Sequence, residues 1–143
     1  MPKDKVLFLC IGNSARSQMA EAFLKKYGGD QFEVYSAGMK PIDIHPCTAR
    51  VMEEVGISLR GHSSKHVKEY MGRVNFAYVI ILCEEVEKMC PTTFPGILQR
   101  LRWSFEDPAA IIGSDDEKLR KFREVRDKIE QRIKSWLSEK PPK

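Results

Sequence analysis

Two stretches of this chain are apolar or aromatic at every position until they reach a cysteine: Val6–Cys10 (VLFLC) and Ala77–Leu82 (AYVIIL), which runs into Cys83. A strand with one wet face alternates apolar and polar residues, so unbroken runs of this length point to strands buried on both faces. A sheet of such strands needs helices over it, and the intervening segments supply them. Ser17–Tyr27 repeats apolar residues at helical spacing through Met19, Ala20, Phe23 and Leu24, then meets Gly28 and Gly29. Thr48–Val55 puts Val51, Met52 and Val55 on one face and stops at Gly56. Ser114–Leu137 turns Leu119, Phe122, Val125, Ile129, Ile133 and Trp136 to one side. Phe32–Ala37, closed by Gly38, reads as the second strand, and Leu101–Phe105 (LRWSF) as the fourth. The alternation predicts an α/β protein with a four-stranded parallel open sheet and helices on both faces. It forms a single domain over residues 1–143, with a frayed tail at 138–143.

Composition narrows the function classes. With 143 residues, 42% hydrophobic and 31% charged, the chain can bury one core and carry a soluble surface. No apolar run approaches the roughly 20 residues of a membrane helix. Val6–Ile11 is too short and too quickly polar for a signal peptide. A cytoplasmic monomer with reduced thiols is expected, with no membrane partner. The net charge of +4 comes largely from residues after Lys118 that interleave with Glu124, Asp127 and Glu130. That is a solvated helix face, and no aromatic-interleaved basic motif points to nucleic acid. The cysteines Cys10, Cys47, Cys83 and Cys90 show no CxxC pair, and His45, His62 and His66 add no ligand set, so a thiol-based metal site is disfavoured.

The chemistry concentrates where the first strand ends. Cys10 is followed by Ile11, Gly12, Asn13, Ser14, Ala15, Arg16 and Ser17, a strand-to-helix turn with a small flexible residue inside. Successive backbone N–H groups in such a turn converge into an anion cradle, and Gly12 permits close approach. Arg16 offers a planar fork to two oxygens of a tetrahedral oxyanion. The same field, with Arg16 and the Ser17 hydroxyl, favours a Cys10 thiolate as nucleophile. The alternative is an inert cysteine closing a core strand. It leaves the joint spacing of Cys10, Gly12, Arg16 and Ser17 unexplained.

CIGNSARS resembles the signature loop of low-molecular-weight tyrosine phosphatases and of the arsenate reductases built on that fold. The resemblance continues through SQMAEAF, through YSAG at residues 35–38 and through VMEEVGISL at residues 51–59. It implies a flavodoxin-type topology. It also implies that residues 11–17 hold arsenate, phosphate or sulfate. Ala15 stands where both branches often carry a further cysteine, so that thiol is not required here. The paired tyrosines with which phosphatases of this fold cover an aryl substrate have no counterpart in DPAAIIG.

Cys83 ends the third strand and Cys90 follows seven residues later, before Pro91. Taken alone, the two are compatible with ordinary buried thiols or with a redox pair. A helix over residues 83–90 would part their Cα atoms by about 10.5 Å, whereas a disulfide needs them within about 7 Å. Pairing therefore requires rearrangement, expected over residues 83–97. Thioredoxin-coupled arsenate reductases resemble this chain in Cys10, Cys83, Cys90, the CP dipeptide and WSFEDPA. The resemblance implies attack of Cys10 on arsenate with Asp107 as acid. A Cys10–Cys83 disulfide then forms, then a Cys83–Cys90 disulfide that thioredoxin reduces. Asp107-Pro108 is also ordinary turn chemistry. The alternative activity is phosphomonoester hydrolysis through Cys10, Arg16 and Asp107, with Cys83 and Cys90 passive. Asn13, Glu21 and Ser36 match part of an alkali-cation site found in some reductases, but Lys65 stands where a carboxylate is expected. No cofactor is called for. Cys47 matches no motif and reads as core packing.

Overall fold

The computed structural model describes residues 3–83 and 97–139. Four parallel strands form one sheet: β1 (Asp4–Cys10), β2 (Phe32–Gly38), β3 (Phe76–Ile81) and β4 (Ile97–Arg102), in the order β2-β1-β3-β4. Among the described residues three α-helices accompany them: α1 (Arg16–Gly28), α2 (Pro46–Glu54) and α3 (Asp115–Glu139). Val6 and Phe8 point to one face of β1 and Leu7 and Leu9 to the other, and all four are fully buried. Both faces of the sheet are therefore covered, as the unbroken apolar runs required.

From β1 the chain moves outward to β2 and then back across to β3. The strand order thus reverses beside β1, which makes its C-terminal end the place where a parallel sheet opens a crevice. Leu9 lies opposite Ala37 on one side and Ile81 on the other. Cys10 and Cys83 consequently leave neighbouring strands within about one residue of each other, on strands roughly 4.8 Å apart.

The fourth strand differs from expectation. It occupies Ile97–Arg102 rather than Leu101–Phe105. The cause is register: Phe76 pairs with Ile97 and Ile81 with Arg102, so β4 ends where β3 ends. Two further bonds, Trp103 N to Ile81 O (2.8 Å) and Phe105 N to Leu82 O (3.1 Å), guide the chain off the sheet toward the rim. The tail also departs from expectation. Ser138 and Glu139 are still helical, and Ser138 Oγ donates to Lys134 O at 3.1 Å.

Helix α3 packs against both α1 and α2. Every inward residue assigned to it from sequence is buried: Leu119, Phe122, Val125, Ile129, Ile133 and Trp136. Trp136 stacks near Phe32 (5.2 Å) and meets Tyr78 (5.2 Å) and Trp103 (5.7 Å) edge-on, joining the helix to β2, β3 and the end of β4. At the other end Arg123 forks onto Glu54, and Arg126 donates to Val51 O (3.0 Å) and Glu54 Oε1 (2.9 Å). The hydrogen bonds from Arg123, and then those from Arg126, hold the Glu54 carboxyl down at about 2. No described helix is long and apolar enough to cross a membrane.

Burial makes a direct prediction. Ile129 is fully buried and Ile112 is 96% exposed. Ile129→Ala should cost about 2–5 kcal/mol in urea unfolding, and Ile112→Ala should stay within about 0.5 kcal/mol. Similar losses at both positions would contradict this packing.

Candidate active site

The turn from Cys10 to Arg16 is shaped by the fate of its carbonyl groups. Cys10 O accepts from Met39 N (3.1 Å), Ile11 O from Lys40 N (2.8 Å) and Gly12 O from Ile42 N (2.9 Å). Ser14 O accepts from His45 N (3.1 Å) and from Thr48 Oγ1 (2.9 Å), and Ala15 O from Met19 N (3.0 Å). Asn13 O accepts from Gln18 Nε2 (3.0 Å) and Ser64 Oγ (2.9 Å). A trans peptide points its N–H opposite to its C=O. With every carbonyl from Cys10 to Ala15 taken by surrounding donors, the N–H groups that follow are turned the other way. The opening turns of α1 add to that field, because Ala15 at the cap supplies no side-chain bond and no acidic residue lies in the first turn.

The glycine closing β2 is essential to this arrangement. A Cβ on Gly38 would fall 2.5 Å from Ile11 O and 2.9 Å from Asn13 N, so only glycine lets the strand end lie against the turn. Asn13 has φ of 51°, the left-handed region that asparagine tolerates better than most residues. Its side chain is fixed at both ends. Oδ1 accepts from Lys65 N (2.8 Å), and Nδ2 donates to Ser17 Oγ (2.8 Å) and Ser36 Oγ (2.9 Å).

Around the Cys10 sulfur the donors converge. Asn13 N lies 3.3 Å from Sγ and Ser17 Oγ lies 2.8 Å from it. Since Ser17 Oγ already accepts from Asn13, its own proton is available to the sulfur, an arrangement suited to a thiolate. Arg16 is nearly buried. Its Nη1 donates to Phe105 O (3.0 Å), and Nη2 lies 3.8 Å from Asp107 Oδ2. Asp107 Oδ1 accepts from Ala109 N (3.0 Å) and caps the short turn Pro108–Ala110, while Lys121 of α3 ion-pairs with the neighbouring Glu106.

Cys10, Arg16, Ser17 and Asp107, separated by up to 97 positions in sequence, thus share one rim. Cys83 stands buried at the end of β3 beside them, and Cys10, Cys47 and Cys83 are all thiols. Cys90 and almost all of the segment expected to rearrange lie outside the described residues. Cys47 is half-buried against the core, its N–H donating to His45 Nδ1 (3.1 Å), in keeping with a packing role. Asn13, Ser36 and Glu21 do come together, but each polar oxygen among them already accepts from a protein donor. Ser36 Oγ gives its proton to Glu21 Oε1 (2.5 Å), and Lys25 balances Glu21 (2.7 Å).

Sequence reasoning missed Gln18 and Ser64 as partners of the turn, and the 39–45 segment that takes its carbonyls. The signal that identifies Gln18 is visible only in the structure. The first turns of α1 are buried on all sides from Arg16 to Leu24, so a polar residue there needs a polar partner.

His62 belongs to the same shell, its Nδ1 3.3 Å from Gln18 Oε1. The amide oxygen only accepts, so Nδ1 carries the proton. Burial pushes the imidazole below its usual 6.5, joined by Lys25 and Lys65 and opposed by Glu21. The unfolded chain then binds the extra proton more readily than the folded one. Stability is therefore lost as the pH falls through 6.5 toward the lower folded value. Urea unfolding at stepped pH should show this decline, and His62→Gln should flatten it.

Comparisons with known proteins identify the family and the fold. The family model for low molecular weight phosphotyrosine protein phosphatase matches residues 5–141. An arsenate reductase of Halalkalibacterium halodurans is 42% identical over 137 residues, 95% of this chain and 96% of that one. A structure described as an arsenate reductase in the phosphate binding state superposes with a TM-score of 0.78 at 32% identity, covering 94% of this chain and 97% of the other. A thioredoxin-dependent arsenate reductase of Corynebacterium glutamicum superposes with a TM-score of 0.73 at 33% identity, covering 96% of this chain and 61% of that longer one.

Proposed function

The chain belongs to the low molecular weight phosphotyrosine protein phosphatase family, and we propose that within it this protein reduces arsenate to arsenite using electrons from thioredoxin. The observation that carries the reading is the Cys10 sulfur set in a donor-lined turn with a second thiol, Cys83, leaving the adjacent strand. A hydrolase needs the first feature alone. Near-complete matches to arsenate reductases support the same choice.

Arsenate sits in the cradle of residues 11–17, with the Arg16 fork on its oxygens. The Cys10 thiolate attacks arsenic. The bond from arsenic to one hydroxyl breaks, and that hydroxyl leaves as water after taking a proton from Asp107. Cys83 then attacks Cys10 Sγ. The electron pair of the S–As bond stays on arsenic, which departs as arsenite, and the two sulfurs become a disulfide. Cys90 attacks Cys83 and restores Cys10. Thioredoxin reduces the resulting Cys83–Cys90 disulfide by the same exchange chemistry. Each cycle moves two electrons from thioredoxin to arsenic.

Family membership makes phosphomonoester hydrolysis the second reading, since the cradle distinguishes arsenate from phosphate poorly. Variants separate the two. Cys10→Ser should abolish arsenate turnover and aryl-phosphate hydrolysis together. Cys83→Ser and Cys90→Ser should stop multiple-turnover arsenate reduction and leave hydrolysis measurable. Full thioredoxin-coupled reduction by both variants would refute the three-thiol route. Asp107→Asn should lower kcat more than it weakens oxyanion binding.

A further inference from the structure

We propose that Gln18 is a positioning residue for the reacting turn: its side-chain amide clamps Asn13 in the left-handed conformation that aims the Asn13 N–H at the Cys10 sulfur. This rests on Cys10 being the reacting thiol. Five of the six carbonyls from Cys10 to Ala15 are held by backbone N–H groups. The bonds on Asn13 O come instead from two side chains, Gln18 Nε2 and Ser64 Oγ. Asn13 is also the residue of the turn at positive φ, where the backbone gains most from external restraint.

Gln18 is fully buried, and both its amide nitrogen and its amide oxygen have named partners. Nε2 donates to Asn13 O (3.0 Å) and to Ser63 O (3.0 Å), and Oε1 faces His62 Nδ1 (3.3 Å). It therefore ties the turn to the 62–64 segment while sitting on the rigid first turns of α1. Fixing Asn13 fixes two contacts on the sulfur at once. One is its own N–H, 3.3 Å from Sγ. The other is Ser17 Oγ, oriented by Asn13 Nδ2 and 2.8 Å from Sγ. Gln18 meets the turn at Asn13 O, the polar end opposite the N–H groups, so it acts on the sulfur through Asn13.

Gln18→Met keeps the length and removes the donors. The test compares it with wild type in the rate of Cys10 alkylation by iodoacetate across neutral pH, in protection by inorganic phosphate, and in Tm. Positioning predicts that folded Gln18→Met alkylates roughly ten- to hundredfold more slowly and needs more phosphate for half-protection. Adding Ser64→Ala should deepen both effects more than additively. A lower Tm with wild-type alkylation and wild-type protection in the folded protein would mean that Gln18 only supports the fold, and would overturn the inference. If Gln18→Met does not fold, NMR of the wild-type protein decides. The Gln18 side-chain amide protons should exchange slowly with solvent and shift on adding phosphate; fast exchange with no shift overturns the proposal. A wild-type Cys10 that is neither selectively alkylated nor protected by phosphate is a different failure. It would refute the proposed function first, and this inference with it.

Discussion

The site depends on where the carbonyl oxygens of one short turn go. From Cys10 to Ala15 each of them is bound to a donor outside the turn or in the first turn of α1. A buried carbonyl without a partner would cost about 1–3 kcal/mol, so these bonds are strongly favoured. Because a peptide's two polar ends oppose each other, satisfying the carbonyls on one side commits the N–H groups to the other. The orientation of those N–H groups is thus a consequence of how the surrounding chain, residues 39–48 and 63–65, pairs with the back of the turn.

The sheet decides what faces that cradle. Parallel strands all end at the same rim, and β1 has β2 on one side and β3 on the other. Gly38 at the end of β2 presses against the back of the turn, and Cys83 at the end of β3 lies on its flank. The exit from β4 follows β3 two bonds past the last ladder pair, which brings Phe105 O and Asp107 to Arg16. Cys10, a second thiol and a carboxylate are therefore carried to one rim by the ends of parallel strands.

Much of this was readable from the chain because some residues have few physical uses. Unbroken apolar runs fixed β1 and β3 within one or two residues, and Trp136 and its heptad-like partners marked the inner face of α3. The Cys10–Ser17 spacing located the turn. Backbone pairing was not readable, because N–H and C=O groups are the same in every residue. That is why the carbonyl partners at Met39, Lys40 and Ile42 are invisible in the sequence, and why the sequence points to a fourth strand starting four residues late: the aromatic signal of Trp103 and Phe105 comes from packing and from a departing chain, not from the ladder. Gln18 was hidden for a related reason. A polar residue at the start of a helix resembles a solvated position until burial on every side of α1 is known.

In the proposed cycle arsenic receives its electrons from this chain's own thiols, and Cys10 is returned unchanged. One equivalent of arsenate given to fully reduced protein without thioredoxin tests that directly, by counting thiols and mapping any disulfide. The chain has four cysteines. Arsenite should be released with loss of two thiols, Cys83 linked to Cys90, and Cys10 and Cys47 still open to alkylation. Arsenite formed with all four thiols retained, or a disulfide that excludes Cys83, would contradict it.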